Sequence, residues 1–313
     1  MDKIFSVHLD ANESAFFARQ LEAVKAQVYE IEYPGLKATQ VLPVDTSAGA
    51  GAKTIVWRMF DKVGMAKVIA SYADDLPRVA IKATEHVAHI RSIGASYEYS
   101  TQDIRYAMRA GVPLAAQEAM AAREAIEQLI DEIAWFGDAE YNLQGFLYNA
   151  NISSYVADDG AGGTTDWARK TAAEIIADVN NAIKFVKTST RGVEQPNMVL
   201  LPTDQYATIA TTPTGIEGTQ TILSFLKAAH PGVTFDEVEK LANVSPAVVG
   251  GGDTSNVMVV YRKDPSKLTL DIPMPFTQYP PQPRNLSQVI NCEARIAGVL
   301  TYKPLSVLVV EGI

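Results

Sequence analysis

The sequence has one cysteine, four histidines and an excess of acid, 36 acidic residues against 27 basic ones. Each scarcity excludes something. The single thiol, Cys292, can make no internal disulfide, so nothing suggests a small domain stapled for an oxidising compartment. The N-terminus, "MDKIFSVHLDANES", lacks a basic start followed by an apolar stretch of signal length, so synthesis in the cytoplasm is expected. The longest apolar runs, such as "SVLVV" at 306–310, fall far short of the roughly 18 residues of a membrane helix. A net charge of -9 argues against a main task of gripping phosphate backbones. His86 and His89 form "HVAH", but residues three apart on a strand face opposite sides, and His8 and His230 have no zinc-like companions. The Gly-rich stretches "GAGGTT" and "VGGGDTS" lack the Gly-Lys-Ser/Thr ending of a phosphate loop and the full Gly-x-Gly-x-x-Gly spacing. No Gly-x-Ser-x-Gly elbow occurs, and Cys292 sits in an alternating strand pattern that fits a small buried thiol. The chain is expected not to be an enzyme, and to use no cofactor or metal.

What is present is a large core and a distinctive order of parts. With 313 residues and 47% hydrophobic content the chain can bury a sizeable interior. Residues 1–30 read as a mixed-charge helical segment, and "PGLKATQVLPVDTSAGAGAK" as an extended arm. "TIVWRMFD" and "RVAIKAT" predict two strands joined by a long polar connection, a projecting two-stranded loop. Pro113 opens the clearest element, an amphipathic helix to Phe136. Ala119, Ala122, Ile126, Leu129, Ile133 and Phe136 form its apolar stripe, and Glu118, Glu124, Glu127, Asp131 and Glu132 its solvated face. Gly137 is placed to cap it. A region alternating helix and strand follows: "TAAEIIADVNNAIKFVK", "NMVLL", "TDQYATIA" capped by Thr203 or Asp204, "TQTILSFLKAAH", "NVMVVYR" and "KLTLDI". "VTFDEVEKL" fits helix or strand. The proline run "PMPFTQYPPQPRN" takes the chain out of that region. "SQVINCEARIAGVL" and "LSVLVVEGI" supply final strands, expected to pack on the long helix.

The stretch "IAWFGDAEYNLQGFLYN", in which a long helix ends in Gly-Asp and is followed by a Gly-Phe-Leu turn, resembles the end of the spine helix in major capsid proteins of tailed bacteriophages. "GMAKVIASYADDLPR" and "HIRSIGASYEYS" are similar to one subgroup of these shell proteins. The order of parts over nearly the whole chain matches too. The family is that of the Hong Kong 97 fold, shared with encapsulin nanocompartments.

The resemblance implies an α+β fold divided into an N-terminal arm (1–50), an extended loop (51–95) and a peripheral domain (96–165) with its spine helix at 113–136. An axial α/β domain (166–285) and return strands of the peripheral domain (286–313) complete it. It implies a structural protein that self-assembles through pentamers and hexamers into an icosahedral phage head around double-stranded DNA. The implied place is the virion, after synthesis in the bacterial host cytoplasm. Portal, separate scaffolding and decoration proteins are implied partners, with no membrane and no specific DNA binding. The loop strands begin by about residue 54, which implies a separate scaffold or none. Trp57, Met59 and Phe60 on the projection, and Trp135, Phe136, Gly137, Asp138 and Gly145 at the helix end, are the expected assembly residues. Two other readings remain at this stage: an encapsulin-type compartment holding an enzyme cargo, and an α/β enzyme with its site in 166–285.

Overall fold

The computed structural model describes residues 36–63, 80–110, 114–149, 151–215, 220–244 and 255–313. The helical segment expected within 1–30, the connection at the tip of the projection and most of "VGGGDTS" lie outside them. After Leu36 the chain makes a one-turn helix, α1 (Ala38–Val41), and a two-residue strand, β1 (Val44–Asp45). Composition predicts an extended arm over this stretch, whereas Ala38, Val41 and Leu42 are buried in the core. Two long-range bonds fix them there. The Asp131 carboxylate accepts the Ala38 N–H at 2.9 Å, and the Tyr261 hydroxyl donates to the Val41 carbonyl at 2.8 Å. β1 runs parallel to β9 (Leu268–Asp271), whose other edge pairs antiparallel with β13 (Gly298–Thr301).

β2 (Thr54–Val63) and β3 (Ala80–His89) form an antiparallel hairpin with Thr54 opposite His89 and Val63 opposite Ala80. Among the described residues no third strand joins it. β4 (Arg91–Ser100) follows after Ile90 and pairs along its length with β12 (Ser287–Ile296). The strict alternation of these two strands puts Ile93 and Tyr99, with Ile290, Cys292, Ala294 and Ile296, on one buried face. After α2 (Thr101–Ala110), the long helix α3 (Leu114–Phe136) packs into that face; its 23 residues make it about 34 Å long. The proline run leaves the α/β region as two edge strands, β10 (Met274–Gln278) and β11 (Gln282–Arg284), both on the free side of β12. Edges are where Pro275 and Pro283 fit, because no donor is needed outward.

The five-stranded sheet runs β5 (Ser153–Val156), β14 (Val307–Glu311), β8 (Val257–Tyr261), β6 (Met198–Leu201) and β7 (Thr234–Glu237). Its three inner strands are buried on both faces. Val199, Leu201, Met258, Val260, Leu308 and Val310 pack under α4 (Ala172–Ser189), α5 (Thr203–Thr211) and α6 (Ile222–Ala229). The opposite face, with Leu200, Val257, Val259, Tyr261, Val307 and Val309, joins the core that contains the long helix. One sheet therefore separates two cores.

Several expectations change. β14 is not grouped with β12 but lies between β5 and β8, because "VLVV" is apolar at every position and needs cover on both faces. β5, four residues beside a Gly-rich loop, carries too little pattern to be read locally. "VTFDEVEKL" divides into β7 and a 3-10 turn at Glu239–Leu241. α5 begins after Pro202, without the side-chain cap expected from Thr203 or Asp204. On α3 the buried stripe is Ala122, Ile126, Ile130, Ile133 and Ala134; Leu129 is 41% exposed, and Asp131, expected on the solvated face, is buried as the cap of α1.

Candidate assembly surfaces

Antiparallel register gives the hairpin two distinct faces. Val56, Arg58 and Phe60 of β2 share one face with Val87, Glu85, Ala83 and Ile81 of β3. On it Val56, Phe60, Ile81 and Val87 are exposed, Phe60 at 62% and Ile81 at 63%. The exposed Arg58–Glu85 ion pair, 3.0 Å, crosses its middle. The other face carries Ile55, Trp57 and Met59. Trp57 stacks on its cross-strand partner His86 with ring centroids 5.4 Å apart and meets Tyr302 edge-on at 5.6 Å. Of the three hairpin residues expected to need a neighbour, Met59 and Phe60 are exposed, but Trp57 is half-buried against its own chain. Its place near the hairpin root, where Tyr302 is within reach, explains the difference. Val56, Ile81 and Val87 were not legible as one surface, because strands join a common face only when their register is known.

The five expected residues at the end of α3 are used internally. Gly137 has φ +73° and donates to the Ile133 carbonyl at 2.8 Å, ending the helix in the left-handed conformation glycine permits. Asp138 and Leu143 exchange two backbone bonds of 2.8 Å, and the Asp138 carboxylate accepts the N–H groups of Glu140 and Tyr141 at 2.9 and 3.3 Å. The returning chain then caps the helix: Phe146 N–H donates to Ala134 O at 2.8 Å and Leu147 N–H to Trp135 O at 2.9 Å. A Cβ on Gly137 would stand 2.5 Å from the Gly145 nitrogen, and one on Gly145 would collide with the Gly137 nitrogen. Two backbones touch there, and Gly298 similarly approaches the Gln144 carbonyl. Trp135 is fully buried against Phe146, and Phe136 is half-buried against Tyr148. Trp135, Phe136, Gly137, Asp138 and Gly145 thus build the subunit, and none of the five is exposed.

Two buried ion-pair groups are structural. The buried Lys170 ammonium donates to Asp178 at 2.7 Å, and the Trp167 N–H donates to the same oxygen at 2.9 Å. Lys267 donates to Glu194 at 2.5 Å, with Arg262 at 3.5 Å from that carboxylate. Such pairs belong to a core where each charge has its counterpart. An open cleft of about 590 Å³ is lined by Lys187, His230 and Arg262, but His230 is bonded to Asn180 at 2.7 Å and Arg262 to its acids. Cys292 is buried in β12, and burial pushes its thiol up, away from the thiolate a nucleophile needs. His86 is stacked on Trp57, with His89 on the other face of β3. No described helix is long and apolar enough to cross a membrane.

The sequence model of the family described as "Major capsid protein" matches residues 64–313. Among solved structures, the capsid of Myoviridae phage XM1 superposes with a TM-score of 0.79 at 18% identity, covering 95% of this chain and 98% of that one. A chain from Mycobacterium phage Ogopogo gives 0.62 at 13% identity, over 94% and 98% of the two chains. The capsid of an empty GTA particle gives 0.60 at 11%, over 97% and 99%. At these identities the likeness is one of fold. No curated protein sequence matches the chain.

Proposed function

Because the chain belongs to the major capsid protein family, and so has a structural capsid role, we propose that it assembles through pentamers and hexamers into an icosahedral phage head around double-stranded DNA. The single observation that carries this reading is the hairpin of β2 and β3. Two strands with no third partner among the described residues are marginal in water, and this pair also presents Val56, Phe60, Ile81 and Val87 outward. Neighbouring copies of the same chain are the natural cover for such a face in a closed lattice. The division into arm (1–50), extended loop (51–95), peripheral domain (96–165 with return strands in 286–313) and axial domain (166–285) follows that reading, with β5 and β14 shared by the sheet of the axial region. A portal protein, a separate scaffolding protein and a decoration protein are the further partners. The net charge of -9 suits a container into which DNA is driven rather than one whose wall binds it.

Electron microscopy of the void-volume fraction after size-exclusion chromatography tests the assembly. Closed particles of uniform diameter are expected, alone or with co-expressed scaffold. Small oligomers under every condition would overturn the reading. Particles from infected cells filled with protein cargo instead of nuclease-protected DNA would retain the shell and overturn the phage-head role.

A further inference from the structure

The root of the hairpin is tied to the body by few bonds. β1 pairs with β9 over two residues only, Val44 beside Leu270 and Asp45 beside Asp271. Leu270 N–H donates to Pro43 O at 2.8 Å and Ile272 N–H to Asp45 O at 2.9 Å. Residues 46–53 then lead into β2. Along this strap the Arg295 guanidinium donates to the Ala50 carbonyl, and Lys53 O accepts the Ile90 N–H at 3.0 Å. Tyr302, which meets Trp57 of the hairpin, is bonded through its hydroxyl to Thr269 of β9 at 2.8 Å.

In the middle of these ties sits Asp271. It is 3% exposed, and its Oδ1 has no hydrogen-bond partner. From its own strand the Thr269 hydroxyl faces it; from β13 its neighbour is Gly298, with no side chain; from β1 it faces another acid, Asp45. The Tyr302 phenol completes the surroundings, and feels both carboxylates. Burial first, opposed by Thr269 and reinforced by Asp45, pushes the Asp271 carboxyl up to about 6. Asp45 is otherwise engaged: its two oxygens accept the Ser47 N–H at 2.8 Å and the Ser47 hydroxyl at 2.9 Å. A proton arriving at the pair therefore goes to Asp271, the buried member with an unpartnered oxygen.

We propose that Asp45 and Asp271 form a proton-operated clasp at the root of the hairpin. With a proton on Asp271 the buried site holds no charge and β1 closes on β9. When the proton leaves, Asp271 becomes a buried charge that faces the half-buried Asp45 across the register, on the side where the strap meets solvent. The two-residue strand β1 yields before the longer ladders do, and the strap of residues 46–53 loosens with it. The clasp does not depend on the phage-head reading. A divalent cation would quench the same repulsion, and the test separates the two.

Hydrogen exchange of the full chain, read on peptides covering residues 40–53 and 268–273 and corrected for the intrinsic pH dependence of exchange, measures opening of the clasp. Opening at pH 8 is expected to exceed that at pH 5 by roughly tenfold, one power of ten for the unit of pH between 5 and the Asp271 value of about 6. Asp271→Asn should hold these peptides closed at both pH values, and Asp45→Asn should shrink the difference. No pH difference in the unaltered chain, or a full difference retained in Asp271→Asn, overturns the clasp. If Asp271→Asn does not fold, Asp45→Asn decides: an undiminished difference overturns it. A change at pH 8 on adding EDTA, reversed by calcium chloride, also overturns it and makes the pair a cation site.

Discussion

Gly137 and Gly145 work by what they omit: the missing Cβ of each lets the other's backbone come to van der Waals distance, and together they fold the chain back onto the end of α3. Gly137→Ala adds a left-handed strain to a collision, and should destabilise the subunit by about 3 kcal/mol or more. Gly145→Ala should do comparable harm through the collision alone. Gly51→Ala, where an added Cβ meets nothing, is the matched control and should stay within about 0.5 kcal/mol in the same urea titrations. "GDAEYNLQG" is legible as a turn. That its glycines serve contact between backbones is not, because the partners come from Gly137, Gly145 and, for Gln144, Gly298 far along the chain. Asp271 behaves likewise: in "KLTLDI" it reads as a strand-end polar residue, and only the register with Asp45 reveals its burden. Its pH effect has a definite sign. The folded carboxyl titrates near 6 and the unfolded one near the usual value of about 4, so between these the native state binds more protons. Stability is then greatest at low pH, falls as pH rises from about 4 to 6, and levels above, a change on the order of 2–3 kcal/mol. Asp271→Asn should remove that slope from urea titrations at pH 5 and 8.

At the scale of elements, the hairpin is a sheet that lacks its other strands. Phe60→Ser with Ile81→Ser should leave subunit stability nearly unchanged, since both side chains are more than half exposed, and should lower the yield of closed particles seen by electron microscopy. Unaltered particle yield would mean the exposed face is not buried in the shell. Trp57 makes a poorer probe of assembly, because its loss also removes the stack on His86 and the contact with Tyr302. The existence of β2, β3, β6, β8, β9, β12 and the long helices could be read from period and caps; β4 is not read as a strand from the sequence. Partnerships could not. The stripe of α3 was misplaced by one step at Leu129 because Ile130 and Asp131 face the core through α1, a segment whose own sequence gives no periodic signal.

For the whole molecule, the five-stranded sheet is both floor and ceiling: its two faces belong to two cores, so neither core is complete without it. β14 sits inside it, with β5 parallel on one side and β8 antiparallel on the other. Removing residues from 307 onward should leave no soluble monomer, because β5 loses its only described partner strand, one core loses two buried side chains and the other loses three. Soluble expression and circular dichroism of that truncation check the outcome; a folded product would show that the sheet closes over the gap. The position of β14 also sets an order in time. Ribosomes deliver a chain from its N-terminus, and domains ordinarily fold as they emerge. This sheet must wait for residues 307–311, which are made after every strand they join. A prematurely terminated chain therefore lacks the central piece of both its interiors, and a translation error of that kind produces material for degradation instead of a defective tile that could be built into a particle.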